Sequence, residues 1–92
     1  MELSIEDRKF SFINEKGNQI AEMTYSLAGE KIIIIDHTEV NDDYRGSLLG
    51  YKLFLEVVEL AKNTGKKIIP LCPYAKSVFD KTDEFDEVLF KA

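Results

Sequence analysis

The stretch that decides the fold is Lys31-Ile-Ile-Ile-Ile-Asp-His-Thr-Glu-Val40, followed by Asn41-Asp-Asp-Tyr-Arg-Gly46 and then by Ser47-Leu-Leu-Gly50. Four consecutive isoleucines predict a buried strand over 31–40, because β-branched side chains pack well on a pleated surface. From Ser47 to Thr64 the apolar residues recur with helical spacing, and Gly65 supplies a C-terminal stop. We therefore predict a strand, a polar break and a long helix in succession.

A second apolar segment, Lys67-Ile-Ile-Pro-Leu71, follows the helix. A strand, a helix and a strand form a right-handed crossover, which places 67–71 parallel to 31–40. Pro70 has no N–H to donate to a neighbouring strand. The segment is therefore predicted either to be an edge strand or to separate from its neighbour near residue 70.

The flanking segments complete an α+β fold. Residues 9–13 and 19–27 alternate polar and apolar side chains, which predicts two strands and, with 31–40, a three-stranded antiparallel meander. Pro73 suits the first turn of a helix over 73–81. Residues 83–90 are predicted to form a second short helix, with a last strand as the alternative.

Composition bounds the size and the partners of the chain. Its 92 residues suit a single domain, and the net charge of −5 argues against nucleic acid and anionic membranes as partners. The charge is uneven: residues 44–81 carry a net +4, which attracts an anion locally or simply reflects solvated lysines. The lone Cys72 and the lone His37 exclude an internal disulfide and the zinc sites rich in cysteine or histidine, so no metal is predicted. With no apolar span or leader, we expect a cytoplasmic protein whose oligomeric state is open.

The break between the strand and the long helix predicts an anion site. N–H groups without partners and the positive end of the helix dipole meet at the start of a helix. Arg45 adds a guanidinium suited to phosphate, and Gly46 permits an unusual turn. Gly50 costs about 1 kcal/mol of helix propensity, which indicates crowding by a neighbour or a ligand. The alternative is an ordinary turn in which Arg45 pairs with Asp42 or Asp43.

These residues resemble a known pattern. Arg45-Gly-Ser-Leu-Leu-Gly50 is similar to the pyrophosphate loop of the GCN5-related N-acetyltransferases (GNAT), Gln/Arg-x-x-Gly-x-Gly/Ala, with Leu48 in place of the middle glycine. Together with His37-Thr-Glu-Val40 and Pro70-Leu-Cys-Pro-Tyr74, it resembles a compact acetyl-CoA-binding subgroup of that superfamily. The resemblance implies one minimal domain over 1–92, a parallel strand that splays away, and acetyl-CoA as cofactor. It also implies that the cofactor is bound by Thr38, Val40, Arg45, Gly46, Ser47, Leu48, Leu49 and Gly50.

Acyl transfer to an amine needs a base and an acid, and four residues are candidates for catalysis. His37 and Glu39 lie two apart on a strand, so they project from one face and could take a proton from the amine; the alternative is a packed histidine and a solvated carboxylate. Cys72 precedes a helix start, which favours a reactive thiol, although a lone cysteine is more often buried and inert. Tyr74 could protonate the departing thiolate, or simply pack.

Three functions follow from these predictions. The first is an N-acetyltransferase that uses acetyl-CoA and an amine acceptor, either a small molecule or a protein. The second is a non-catalytic acyl-CoA sensor or interaction module, which the small size of the chain favours. The third is a phosphate or nucleotide site at the same helix start.

Overall fold

One mixed sheet and two helices make up the fold in the computed structural model, which describes residues 1–92. The strands lie side by side in chain order: β1 Glu2–Glu6, β2 Lys9–Ile13, β3 Gln19–Ala28, β4 Ile32–Val40 and β5 Lys67–Pro70. The helices are α1 Leu49–Thr64 and α2 Pro73–Lys81, and two 3-10 turns cover Asp42–Tyr44 and Asp86–Val88. This architecture confirms the predicted α+β class. None of the helices has the length and apolar character that crossing a membrane requires.

The antiparallel part of the sheet has four strands, one more than the sequence predicted. The additional strand β1 pairs with β2 from Glu2 opposite Ile13 to Glu6 opposite Lys9. It is an edge strand, and its residue Ile5 is 68% exposed. An edge strand buries little apolar surface, so its sequence lacks the run of buried positions that marks β4.

The crossover from β4 through α1 to β5 forms as predicted. β5 runs parallel to β4, with Ile32 opposite Lys67 and Ile35 opposite Pro70. α1 begins at Leu49, two residues after the predicted start, because Leu48 adopts a left-handed conformation. It ends at Thr64, and the N–H of the capping residue Gly65 donates to the carbonyls of Ala61 and Lys62.

Pro70 marks the point where β5 leaves β4. It is the last paired residue of the edge strand β5, and the next two N–H groups, of Leu71 and Cys72, both donate to the carbonyl of Ile35. β4 continues to Val40 with β3 as its only strand partner. An opening therefore lies beside the second half of β4, as predicted from the missing N–H of proline.

A β-bulge in β4 decides which side chains face the helices. Thr24 lies opposite His37 but Tyr25 lies opposite Ile35, so Asp36 is an extra residue in β4. The bulge reverses the alternation, which places Thr38 on the same face as the buried Ile33 and Ile35. We call this the helix face, and the other the open face. His37 and Glu39 lie on the open face.

Both helices pack on the helix face in a single core. Phe54 of α1 is fully buried, and its ring meets those of Phe79 and Phe85 edge-on at 5.2 Å. Residues 83–90, predicted as a short helix or a strand, contain a 3-10 turn. After this turn, the N–H of Phe90 donates to the carbonyl of Ile68, 2.9 Å away. The C-terminal segment thus partly protects the exposed edge of β5.

Candidate functional site

A cavity of about 380 Å³ lies between the free end of β4 and the start of α1. The loop before α1, the first turn of α1 and the ring of Tyr74 form its other walls. Its lining comprises Thr38, Val40, Tyr44, Arg45, Gly46, Ser47, Leu48, Leu49, Gly50, Tyr51 and Tyr74. The structure thus brings together all eight residues predicted to hold the cofactor, together with one of the four predicted for catalysis.

Two left-handed residues shape the loop that enters α1. Gly46 has φ +80°, a conformation that costs glycine little. Leu48 has φ +67° and ψ 11° directly before the first helical residue, where a side chain on Cβ is strained. Leu48 occupies the position of the middle glycine in the resembled pattern, and its backbone adopts a conformation that glycine would take without strain.

The first turn of α1 presents N–H groups to the cavity. The N–H groups of Leu48 to Tyr51 make no hydrogen bond, and no side chain caps the helix. The first turn also contains no acidic residue, so no carboxylate opposes an anion there. Because these groups carry the positive end of the helix dipole, the cavity suits a negatively charged ligand.

Arg45 lines the cavity but contacts an aspartate. Its Nε lies 2.8 Å from Oδ1 of Asp42, which is the ion pair that the sequence left open as the alternative. Both side chains are exposed, and such pairs contribute about 0–1 kcal/mol. A diphosphate bound at the start of α1 could therefore recruit the guanidinium at little cost.

Tyr74 closes the cavity from α2, and its ring lies beside Gly50. A Cβ at Gly50 would lie 3.4 Å from Cζ of the Tyr74 ring, at the limit of ordinary contact. The ring thus lies close to Gly50 without excluding a Cβ, so the crowding predicted at this residue is slight. Burial raises the pKa of Tyr74 above its ordinary 10.0, and the neighbouring Tyr51 and Cys72 raise it further. Tyr74 therefore carries its proton at neutral pH and can donate it.

Cys72 lies behind the cavity wall. It is buried, and its Sγ donates a hydrogen bond to Oγ1 of Thr38, 3.2 Å away. Thr38 faces the cavity, so the thiol reaches it only through this side chain. This hydrogen bond joins β4 to the segment that directly follows β5. The reactivity predicted for Cys72 stays a prediction.

His37 and Glu39 do not line the cavity. Their side chains contact each other, with Nε2 of His37 3.5 Å from Oε2 of Glu39, and both are exposed on the open face. The expectation that the two residues share a face is met, but it is the face opposite the cavity. Since neither side chain reaches the cavity lining, their predicted part in proton transfer stays a prediction.

Two lining residues were missed by the sequence analysis, Tyr44 and Tyr51. Tyr44 ends the 3-10 turn directly before Arg45, and Tyr51 stacks on Phe54 with ring centroids 6.4 Å apart. Both aromatic residues flank the predicted loop, one on each side. Their only signal in the sequence is their position directly beside the loop, which does not show where their side chains point.

Comparisons with known proteins identify the family and support the fold. A family model described as GCN5-related N-acetyltransferase matches residues 9–88. A GCN5-like protein from Staphylococcus aureus, solved by NMR, is 35% identical with a TM-score of 0.83, and the match covers 99% of this chain and 89% of that one. A search of curated proteins gave no match.

Two larger structures share the fold. A GNAT-family acetyltransferase from Staphylococcus aureus Mu50 is 19% identical (TM-score 0.62), with 67% of this chain and 40% of that chain covered. An acetyltransferase from Trypanosoma brucei is 16% identical (TM-score 0.58), with 91% and 61% covered. The chain thus spans about two fifths to three fifths of the length of these two proteins.

Proposed function

The chain belongs to the GCN5-related N-acetyltransferase family, and on that premise we propose that it binds acetyl-CoA and transfers the acetyl group to an amine. We further propose that residues 1–92 form one such domain, since all strands join one sheet and the helices share its core. The observation that carries the proposal is the row of N–H groups without partners facing the cavity at the start of α1.

The start of α1 fits the diphosphate of coenzyme A. Four successive N–H groups there, from Leu48 to Tyr51, have no acceptor, and Arg45 lines the same cavity. Backbone donors at a helix start bind phosphate oxygens without any charged side chain. Coenzyme A is also polar along its pantetheine arm, which suits the stretch of β4 from Thr38 to Val40 that β5 leaves without a strand partner.

Tyr74 is the proposed acid. In the transfer, the amine nitrogen bonds to the acetyl carbonyl carbon, the carbon–sulfur bond breaks, and the departing thiolate takes a proton. Tyr74 holds its proton at neutral pH and borders the cavity, so its hydroxyl can supply that proton. Removing this donor should lower turnover and leave acetyl-CoA binding largely intact.

The amine must lose a proton before or during attack, and the cavity lining contains no histidine or carboxylate for this task. His37 and Glu39 remain the proposed base, acting from the open face through the gap beside β4. The lack of a base in the cavity lining specifically favours the second candidate function, an acyl-CoA sensor without turnover. The same gap would give Cys72 access to the thioester if Thr38 moved aside.

The binding proposal is tested by placing a charge at the start of α1. Leu48→Asp adds a carboxylate among the N–H groups, whereas Leu48→Asn adds a neutral side chain of the same shape and is the matched control. Both residues tolerate a left-handed conformation. We expect Leu48→Asp to weaken acetyl-CoA binding in calorimetry at least tenfold relative to Leu48→Asn, while the helix dipole keeps the protein as stable. Equal affinities would contradict a diphosphate at this place.

Turnover is tested by free thiol release from acetyl-CoA with a panel of primary amines. Release that depends on the amine supports the transferase, and tight binding without release supports the sensor. Assays of His37→Ala, Glu39→Gln and Cys72→Ala decide whether these residues take part. ATP and pantetheine serve as competitors: if ATP competes as well as coenzyme A and pantetheine adds nothing, the site is a nucleotide site instead.

A further inference from the structure

Three potential metal ligands meet on the open face of the sheet, apart from the cavity. Ligand atoms of Glu22, His37 and Glu39 all lie within 4.8 Å of one another. We propose that these three side chains form a binding site for a divalent transition-metal ion, with Zn²⁺ as the representative ion. The site shares His37 and Glu39 with the proposed base, but its test measures metal binding alone and does not depend on acetyl transfer.

The strand geometry sets up a triangle of ligands. Glu22 of β3 lies directly opposite Glu39 of β4, and His37 projects from the same face two residues away. Nε2 of His37 and Oε2 of Glu39 are 3.5 Å apart. Tetrahedral Zn²⁺ with bonds of about 2.0–2.2 Å separates its ligand atoms by roughly 3.3–3.6 Å. His37 and Glu39 already have this spacing. Because their side chains are exposed, they can move toward Glu22 until all three ligand atoms reach the distances that Zn²⁺ requires.

The two carboxylates of the cluster favour the binding of a cation. Two carboxylates directly opposite each other on neighbouring strands repel. Lys9 relieves this only in part, with Nζ 3.9 Å from Oε1 of Glu22, and Gln19 donates a 2.7 Å hydrogen bond to that same oxygen. The second oxygen of Glu22 has no partner of this kind. Lys9 opposes a metal ion by repulsion, so its removal should favour binding.

A buried hydroxyl beside the cluster is an independent sign of a ligand. Ser11 lies directly opposite Glu22 on the neighbouring strand and projects from the same face. The residue is 0% exposed, and its Oγ has no hydrogen-bond partner. Buried polar groups almost always have a hydrogen-bond partner, so the hydroxyl of Ser11 requires an explanation, of which a nearby ion or water is one. Glu22 of β3 lies between Ser11 on β2 and the two ligands on β4, so a carboxylate that binds a metal through one oxygen could accept a hydrogen bond from Ser11 through the other, in the way that outer hydrogen bonds orient metal ligands.

The ligand set selects the kind of metal. One imidazole nitrogen and two carboxylate oxygens suit Zn²⁺, and three protein ligands leave one tetrahedral position for water. Mg²⁺ prefers six oxygen ligands in octahedral geometry and keeps most of its water. The site should therefore discriminate strongly between these two ions.

The test is an NMR titration of the ¹⁵N-labelled protein with ZnCl₂ and, separately, with MgCl₂. We expect Zn²⁺ to shift amide signals of residues 20–24 and 36–40, and Mg²⁺ to leave them unchanged. His37→Ala should weaken Zn²⁺ binding at least as much as the loss of an outer partner does, about 10- to 100-fold. Glu59→Gln, which removes an exposed carboxylate from α1, is the matched control and should bind as the unaltered protein does.

Two outcomes would overturn the site. Shifts confined to other acidic segments, such as residues 83–87, would place the ion elsewhere. Unchanged affinity in both His37→Ala and Glu39→Gln would show that the cluster does not bind Zn²⁺. Because His37 and Glu39 are exposed, neither variant should unfold the protein, which the dispersion of the amide spectrum checks. Lys9→Met should tighten binding, and weaker binding in that variant would contradict the charge argument.

Discussion

Leu48 is the residue whose replacement tests the geometry of the anion loop most directly. It holds φ +67° at the start of α1, and the residue is 67% exposed. A side chain with a Cβ is strained in this region, whereas glycine adopts it readily. Leu48→Gly should therefore stabilise the protein, because it removes strain and little buried surface.

The size of the gain follows from two opposing effects. A left-handed conformation costs a residue with a Cβ about 1–2 kcal/mol, which glycine avoids. Glycine gives back about 0.4–1 kcal/mol through the greater freedom of its unfolded chain. The net stabilisation is roughly 0.5–1 kcal/mol. In a chain of 92 residues, this corresponds to a rise in melting temperature of about 3–5 °C.

The measurement is thermal and urea unfolding followed by circular dichroism. Leu48→Ala is the matched control, because it removes the same exposed atoms but retains Cβ and its strain. We expect Leu48→Gly to melt above Leu48→Ala by this margin. If the two variants melt together, or if the glycine variant is the less stable, residue 48 is not left-handed in solution and the proposed loop geometry is wrong.

Three further predictions concern the cavity. Tyr74→Phe should lower kcat about 100-fold or more without a matching rise in the KM for acetyl-CoA, and an unchanged kcat would remove the proposed acid. The pKa of Tyr74 is raised on folding, so above pH 10.0 the unfolded chain loses this proton more readily and stability falls. Urea unfolding between pH 9 and pH 11 should show a smaller alkaline loss in Tyr74→Phe than in the unaltered protein. Asp42→Asn should tighten coenzyme A binding in calorimetry, since it frees Arg45 and removes a nearby negative charge, while unfolding stays within about 0.5 kcal/mol; weaker binding would mean that Arg45 does not contact the ligand.

The central unit of the fold could be predicted because its sequence signals are strong and local. Each signal comes from the segment whose structure it predicts. These signals are the isoleucines of β4, the helical spacing of apolar residues in α1 and the missing N–H of Pro70. β1 was missed because an edge strand with little buried surface has no such signal. The start of α1 differed by two residues because of Leu48, whose left-handed conformation is typical of glycine.

The part of the candidate site that consists of backbone N–H groups could be predicted from the sequence. The loop from Arg45 to Gly50 lines the cavity because any strand followed by a helix exposes N–H groups there. Tyr44 and Tyr51 could not be identified from spacing, since their contribution depends on how the loop and α1 turn their side chains. Contacts such as that between Gly50 and Tyr74 join segments far apart in sequence, and only the packing of α2 reveals them.

The placement of His37 and Glu39 shows why a strand period alone cannot assign side chains to a face. Strict alternation along β4 would put both residues on the face of Ile33 and Ile35, toward the helices and the cavity. The extra residue Asp36 interrupts that alternation, and its carboxylate accepts a hydrogen bond from Ser26 of the neighbouring strand. One inserted residue therefore directs the side chains in the second half of β4 to the opposite faces from those that strict alternation would give. Thr38 faces the proposed coenzyme site, while the residues on either side of it form the proposed metal site on the open face.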